Sequence, residues 1–389
     1  MAPFDIHARD GDARAGVIHT PHGNVRTPAF VPLASTATVK SLHASEVAEL
    51  GYDMVLGNTF HLFIQPEPEL VEEMGGLHEF MGWRRAIITD SGGYQVFSMG
   101  HGSVAEEIKR RRDPRGSMIV SIDEEGVRFR SYLDGRERFM GPETSMETQA
   151  KLGSDIALAF DECTPFHVER DYTAGSMERT HRWLDRCVSW CAEHAPPGQL
   201  LYGIVQGGVY EDLRAESTDY VAQSGVPGIA IGGSLGQEKA QMREVVGWTV
   251  ARLPDGPPRH LLGIGDVDDL VHAVGLGIDT YDCATPTRLA RHGTALVPAP
   301  ERRWRLDLTK GANRASRKPI DERCPCPACR EHTRAYLHYL LRAGELTGKR
   351  LLTLHNLTFM QRLMSGMREA IEAGRYSEHA RAVLAGAVP

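Results

Sequence analysis

A six-residue segment in the C-terminal third of the chain holds three of its seven cysteines: Cys324, Cys326 and Cys329. Three thiolates at this C-x-C-x-x-C spacing can bind one tetrahedral Zn²⁺ ion, which then needs a fourth ligand. His332 follows the last cysteine too closely to complete the site without strain. His355 can return to the cysteines from a neighbouring helix, and His338 is the alternative. We predict a closed Cys₃His site and hence a structural zinc ion.

Polar side chains that could bind or cleave a nucleoside follow short apolar runs: Asp90, Asp161, Gln206 and Asp282. The Asp161 carboxylate can accept the N1–H and N2–H₂ donors of guanine, and the Gln206 amide with a backbone N–H near Gly233 can serve its O6 acceptor. Asp90 and Asp282 then remain for chemistry. Cleavage at an anomeric carbon with retention takes one carboxylate as nucleophile and a second acid to protonate the leaving group. Each aspartate alone could equally cap a helix or form an ion pair.

Small and flat residues beside these polar groups favour a pocket for a planar ring. Tyr94 offers an aromatic face, and Leu262 can provide an apolar plate. The pair Gly232 and Gly233 leaves bare backbone that a ligand can approach closely. Together these residues indicate a cavity for guanine.

The elements that must position these residues alternate along the chain. Eight apolar runs of strand character, separated in most cases by segments with helical periodicity, cover residues 29–33, 54–58, 86–90, 156–161, 202–206, 228–232, 260–265 and 279–282. This alternation predicts an α/β fold, a closed (β/α)₈ TIM barrel with functional residues at the C-terminal ends of its strands. An open doubly wound sheet is the alternative, but it would need a G-x-G-x-x-G turn after the first strand, which we do not find.

Three segments interrupt this rhythm. The N-terminal segment, with Gly11, Gly16 and Gly23 among short apolar runs, predicts a β-hairpin that caps one end of the barrel. Residues 98–135, with a basic run at 109–112, predict a mobile loop followed by a hairpin. We therefore predict three parts: the barrel with its N-terminal cap over residues 1–298, an inserted zinc-binding subdomain over 299–355, and C-terminal helices that complete the barrel over 356–389.

Composition and charge exclude several classes of protein. No apolar stretch is long enough to cross a bilayer, and the N-terminus lacks the pattern of a secretory signal, so a cytoplasmic protein without a membrane partner is expected. An odd number of cysteines without such a signal argues against a disulfide framework.

The net charge is −7, yet residues 288–350 hold 15 Lys and Arg against 6 Asp and Glu. This asymmetry indicates either one basic surface or an ordinary solvated face.

At these residues the sequence resembles the tRNA-guanine transglycosylases, also called queuine tRNA-ribosyltransferases. The matching segments follow one another in the family's order along nearly the whole chain: residues 57–62, 89–95, 159–163, 203–208, 230–233, 279–288, the cysteine segment and residues 355–356. The resemblance implies a barrel with a zinc subdomain. It also implies an enzyme, commonly a homodimer in bacteria, that exchanges guanine at the tRNA wobble position for a 7-deazaguanine such as preQ1 or queuine, without ATP or a redox cofactor.

The resemblance also assigns roles position by position. Asp282 would attack C1′ of the ribose to form a covalent intermediate, and Asp90 would act as general acid and base. The substrate would be bound by Ser91, Tyr94, Asp161, Cys163, Gln206, Gly232, Gly233, Leu262 and Gly263. Arg288 and Arg291 would contact the anticodon loop. The zinc ligands would be Cys324, Cys326, Cys329 and His355.

The chain departs from the family pattern at Gly236 and at Asp266, and its long segment 98–135 is also unusual for the family. Bacterial members usually read G-G-L-A-V-G-E where residues 232–238 read G-G-S-L-G-Q-E, so Gly236 stands where a branched aliphatic residue is common. We hypothesise that the pocket accepts a 7-substituent larger than aminomethyl. Asp266 replaces a common lysine, which puts one RNA contact in doubt.

Other functions remain as alternatives. The same base-exchange chemistry on a different 7-deazaguanine or nucleic-acid target is compatible with the sequence. A metal-dependent barrel hydrolase would need His-x-His after an early strand, where His61 stands alone. A non-catalytic RNA-binding subunit would be expected to lose the nucleophile, whereas Asp90 and Asp282 are both present.

Overall fold

The computed structural model describes residues 2–101, 118–165 and 168–389. In chain order, its strands are β1 (Phe4–Asp10), β2 (Ala13–Thr20), β3 (Gly23–Thr27), β4 (Ala29–Val31), β5 (Leu33–Ala34), β6 (Met54–Gly57), β7 (Ala86–Thr89), β8 (Ile119–Ile122), β9 (Val127–Arg130), β10 (Glu137–Met140), β11 (Ile156–Leu158), β12 (Leu200–Val205), β13 (Gly228–Ile231), β14 (Arg259–Leu261), β15 (Thr280–Asp282), β16 (Thr294–Leu296) and β17 (Arg305–Asp307). Its α-helices are Ala44–Glu49, Thr59–Ile64, Pro68–Glu73, Gly76–Met81, Gly93–His101, Pro142–Leu152, Arg170–His194, Glu211–Gln223, Lys239–Val250, Val267–Gly275, Thr285–Arg291, Pro327–Glu331, Arg334–Ala343, Leu346–Glu372 and Tyr376–Leu384.

Parallel strands form the centre of the fold, in the order β4-β15-β14-β13-β12-β11-β7-β6-β5. Only Pro32 separates the two end strands, β4 and β5, along the chain. Proline has no N–H for a strand ladder, but the Pro32 carbonyl accepts a hydrogen bond from Leu56 N–H of β6 at 3.0 Å. β4 and β5 are therefore two halves of one strand that pairs with a neighbour on each side. The sheet closes on itself, which confirms the predicted (β/α)₈ barrel rather than the open sheet.

A three-stranded antiparallel sheet, β1-β2-β3, covers the N-terminal ends of the barrel strands. Its side chains Phe4, Ile18 and Val25 join the apolar cluster that fills the barrel interior. The wholly buried Arg14 donates from Nε to Asp279 Oδ1 at 2.9 Å, just before β15. The predicted hairpin cap is thus confirmed with one additional strand. Because the cap fills this end, a site for a ligand belongs at the opposite end.

A second antiparallel sheet, β10-β9-β8, lies between β7 and β11 in the chain. The predicted hairpin is present and gains β10 as a third strand. Phe129 of β9 packs on Phe60, with ring centroids 5.1 Å apart, and so supports the helix Thr59–Ile64. The basic run at residues 109–112, predicted to lie in a mobile loop, falls outside the described residues.

The C-terminal region is built around the helix Leu346–Glu372, which packs on β4, on the cap and on the helix Thr285–Arg291. A separate apolar cluster that includes Leu308 and Leu352 surrounds the three cysteines. The long helix passes through residues 355 and 356 without interruption, and the division of the chain at this point stays a prediction. Among the described helices, none has both the length and the apolarity of a membrane span.

Candidate active site and metal centre

A cavity of about 640 Å³ opens where the C-terminal ends of the barrel strands meet. Most of the predicted site residues line it: Asp90, Ser91, Tyr94, Asp161, Cys163, Gly233, Leu262, Gly263, Asp282 and Arg288. Gln206 and Gly232 lie in the wall behind them, since Gln206 Nε2 is 2.6 Å from Asp161 Oδ2 and a Cβ on Gly232 would lie 3.2 Å from Leu262 Cδ1. The predicted residues thus meet at one end of the barrel.

Asp90 follows β7 and accepts hydrogen bonds from three residues. Thr59 N–H donates to Oδ1 at 2.8 Å, and the Asn58 and Gln95 amides donate to Oδ2 at 2.5 and 3.0 Å. Burial, opposed by the Thr59 hydrogen bond and assisted by the Asp282 carboxylate, raises the pKa of Asp90 to about 7. A carboxyl group that titrates near neutrality can both donate and accept a proton during a reaction.

Asp282 ends β15, the last barrel strand, and lines the same cavity. Gly263 N–H donates to its Oδ1 at 3.1 Å. His260 Nε2 lies 3.2 Å from the same oxygen. Asp90 and Asp282 therefore share one cavity, which chemistry with two carboxyl groups requires.

Asp161 follows β11 and is held by two side chains. Ser91 Oγ donates to Oδ1 and Gln206 Nε2 donates to Oδ2, each at 2.6 Å. Burial raises the pKa of Asp161 to about 6, although both hydrogen bonds oppose the shift. Since each carboxylate oxygen has a second lone pair, Asp161 can still accept from a bound ring.

The glycine wall beside Asp161 leaves no room for side chains. Gly233 has a φ of +76°, and a Cβ there would lie 2.2 Å from Gln206 Oε1. A Cβ on Gly232 would lie 2.6 Å from Ile204 Cγ2. A side chain is therefore excluded at both positions, and Gly233 presents bare backbone to the cavity while Gly232 lies behind it.

Tyr94 and Cys163 border the cavity in different ways. Tyr94 is 48% exposed and lines the cavity, so its ring can receive a planar ligand. Burial raises the pKa of the Cys163 thiol, which keeps this group neutral and argues against a thiolate nucleophile.

Arg288 and Arg291 lie one turn apart at the end of the helix Thr285–Arg291. Arg288 is exposed and lines the cavity. Arg291 is partly buried, and its burial together with the positive charge of Arg288 lowers the pKa of Arg291. Asn356 of the long C-terminal helix holds this region, since its Nδ2 donates to the Pro286 carbonyl at 2.9 Å and its Oδ1 accepts from Leu296 N–H at 2.7 Å. Contact of either arginine with RNA stays a prediction.

The three cysteines and His355 form one buried cluster. His355 Nδ1 lies 3.5 Å from Cys324 Sγ, 3.5 Å from Cys326 Sγ and 3.2 Å from Cys329 Sγ. With Zn–S of about 2.3 Å and Zn–N of about 2.1 Å, tetrahedral ligand atoms are separated by about 3.6 Å. The donor set therefore fits Zn²⁺ in both chemistry and spacing.

The hydrogen bonds of the nearby histidines distinguish the fourth ligand. His355 Nε2 donates to the Leu296 carbonyl at 2.7 Å, which leaves the Nδ1 lone pair for a metal ion. His338 Nδ1 instead faces the Leu308 carbonyl at 2.8 Å. The structure therefore brings His355, rather than His338, to the cysteines.

Four residues that hold Asp90 or Asp282 were not predicted as site residues: Asn58, Thr59, Gln95 and His260. Asn58 ends an apolar run and Gln95 follows the glycine pair after β7, so the strand-end rule could have found both. His260 lies in the middle of β14, and this rule gave no signal for it.

Comparison with known proteins agrees with this geometry. A family model described as Queuine tRNA-ribosyltransferase matches residues 10–387. A queuine tRNA-ribosyltransferase of Roseiflexus sp. (strain RS-1) is 50% identical and is aligned over 97% of this chain and 98% of its own length. Those of Herpetosiphon aurantiacus and Thiobacillus denitrificans are each 46% identical over 96% of this chain, and over 89% and 96% of their own lengths. The chain therefore belongs to the queuine tRNA-ribosyltransferase family of enzymes.

Proposed function

We propose that this enzyme exchanges guanine at the wobble position of tRNA for a 7-deazaguanine through a covalent bond between Asp282 and the ribose. The observation that carries the proposal is the cavity shared by Asp282 and a second carboxyl group, Asp90, whose pKa is raised to about 7. Family membership supports the reaction class.

Asp282 and Asp90 have different roles in the reaction. In the first step an oxygen of Asp282 attacks C1′ of the ribose as the C1′–N9 bond breaks, and Asp90 protonates the departing guanine. In the second step Asp90 takes the N9 proton of the incoming base, whose N9 displaces Asp282 from C1′. Two displacements give net retention at C1′. One N-glycosidic bond replaces another, so neither ATP nor a redox cofactor is needed.

The remaining wall of the cavity is suited to guanine. Ionised Asp161 can accept from N1–H and N2–H₂, while the Gln206 amide and the backbone near Gly233 can serve O6. Tyr94 can stack on the ring, because this residue is about half exposed and lines the cavity. A 7-deazaguanine has the same Watson–Crick edge and can therefore use the same contacts.

The RNA partner is the anticodon loop of tRNA, with Arg288, which lines the cavity, and Arg291, one turn further along the same helix, as its contacts. Asp266, which stands where the family often has lysine, is paired with Lys239 at 3.2 Å and with Arg305 at 3.1 Å. These two cations offset its charge, so it need not repel the phosphates. By analogy with the family, we infer a cytoplasmic homodimer.

Incorporation of labelled guanine into tRNA tests the proposed function. We expect label in a tRNA with a wobble guanine, and none in the same tRNA with adenine at that position. A DNA copy of the anticodon stem-loop, run in parallel, tests the alternative nucleic-acid target. Label that enters the adenine-containing tRNA equally, or only the DNA, would contradict the wobble assignment.

The incoming base is open to a separate test. Gly236 and Met242 line the cavity, and Gly236 has a φ of +103° with its missing Cβ only 2.4 Å from Gln241 Oε1. The Gln241 side chain can move, but the positive φ favours glycine at this position, and glycine has no side chain to narrow the cavity. We expect kcat/KM for queuine to lie within about tenfold of that for preQ1. Exchange of labelled guanine with unlabelled guanine is the control for general activity, and strict preference for preQ1 would contradict the hypothesis.

The metal at the Cys₃His cluster is proposed to be Zn²⁺ with a structural role. It would join the cysteine segment to the long helix that carries His355, and no step of the reaction requires it. His355→Ala should reduce bound zinc from about one ion per chain to nearly none, and a loss of about 3 kcal/mol would lower Tm by roughly 5–10 °C. Metal analysis and thermal unfolding measure both effects. The control is His338→Ala, which should keep its zinc, and equal zinc loss in the two variants would contradict the assignment.

A further inference from the structure

His260 of β14 lies inside the barrel beside two residues of β15. It is the register partner of Thr280, and Thr280 and Asp282 point to the same side of their strand because side chains alternate between faces. His260 Nδ1 is 2.8 Å from the Thr280 hydroxyl, and His260 Nε2 is 3.2 Å from Asp282 Oδ1. The imidazole is wholly buried, so both of its nitrogens depend on these partners.

The partners determine the direction of each hydrogen bond. An ionised carboxylate can only accept, so His260 Nε2 carries the hydrogen and donates to Asp282. In the neutral ring Nδ1 then accepts, and the Thr280 hydroxyl donates to it. The Asp282 carboxylate thereby selects the tautomer of His260, and the Thr280 hydroxyl, which can donate or accept, stabilises that tautomer by donating to Nδ1.

The two donors to Asp282 reach the same oxygen. Gly263 N–H lies 3.1 Å from Oδ1, the oxygen that also faces His260. Within the described part of the chain, Oδ2 accepts no hydrogen bond from a protein donor. Oδ2 is therefore the oxygen available to attack C1′, and Oδ1 becomes the carbonyl oxygen of the ester. When the incoming base displaces the aspartate, negative charge returns to the carboxylate, and both donors are already in position to stabilise it.

We propose that His260, held at Nδ1 by the Thr280 hydroxyl, is a positioning residue that directs Oδ2 of Asp282 toward the ribose and stabilises the carboxylate as it leaves. The inference rests on the proposed function, because it assumes the covalent intermediate. It goes further in assigning separate roles to the two oxygens of the nucleophile.

Breakdown of the covalent adduct tests this role. Enzyme and tRNA are mixed without free base, the adduct is detected on a denaturing gel, and guanine is then added to follow its decay. His260→Phe should slow the decay about 100-fold, and Thr280→Val about 10-fold. Thr280→Ser keeps the hydroxyl and should restore most of the wild-type rate. The KM for guanine should change less than about threefold, because neither side chain binds the base.

The outcomes separate this inference from the proposed function. Decay at the wild-type rate in His260→Phe and Thr280→Val, or an effect confined to KM, would overturn the role of His260 while exchange itself stands. If His260→Phe does not fold, as judged by circular dichroism and Tm, the isosteric Thr280→Val decides the question alone. If the wild-type enzyme forms no adduct and exchanges no guanine, the proposed function fails, and this inference fails with it.

Discussion

Asp282→Asn is expected to lower guanine exchange about 10⁴- to 10⁶-fold and to abolish the covalent adduct. An amide has neither the charge nor the nucleophilicity of a carboxylate. The substitution isolates this property, because the amide oxygen can still accept from Gly263 and His260 in the place of Oδ1. Binding of tRNA should therefore change less than about threefold. Single-turnover incorporation of labelled guanine and denaturing gels measure the two losses.

The matched control for this substitution is Asp12→Asn. Asp12 is an exposed residue between β1 and β2, at the opposite end of the barrel. The Asp12→Asn variant should exchange guanine at the wild-type rate. An adduct of normal yield in Asp282→Asn, or an adduct that peptide mapping assigns to Asp90, would show that Asp282 is not the nucleophile.

The positions of strand ends explain why much of this site could be predicted from sequence. Asp90 and Asp161 each follow an apolar run of strand length, Asp282 ends the last predicted strand, and all three line one cavity. In a closed parallel barrel the C-terminal ends of all strands meet at one rim, whatever the lengths of the connecting segments. The order of the runs was therefore sufficient, and no knowledge of side-chain packing was needed.

Contacts that depend on strand register could not be predicted in this way. His260 and Thr280 meet because β14 and β15 pair in one particular register, which the local pattern of either strand does not determine. The break of the first strand at Pro32 and the third strand of each antiparallel sheet also depend on neighbours that are distant in sequence. The proposed zinc ligands were easier to predict from sequence, because three of them lie within one short segment and only His355 had to be found elsewhere.

Asp90→Asn is expected to slow adduct formation about 10²- to 10⁴-fold and to remove part of its pH dependence. Burial raises the pKa of Asp90 to about 7. Below this pH the carboxyl group carries the proton that the departing guanine needs. Above it the wild-type rate should fall about tenfold per pH unit, because the protonated fraction falls by that factor. Asparagine does not titrate in this range, so the residual rate of the variant should lack the alkaline decrease.

Asp161 should govern the acid side of the same profile. Its pKa is raised to about 6 by burial, and only the ionised carboxylate can accept from both donors of guanine. The kcat/KM for tRNA should therefore be bell-shaped, with its maximum between the two pKa values. Asp161→Asn should remove the decrease of kcat/KM at acid pH and keep the decrease at alkaline pH. Asp90→Asn should remove the alkaline decrease and keep the acid one. The control Asp12→Asn should keep both. Loss of both limbs in either single variant would mean that the two carboxyl groups titrate as one unit rather than serving recognition and proton transfer separately.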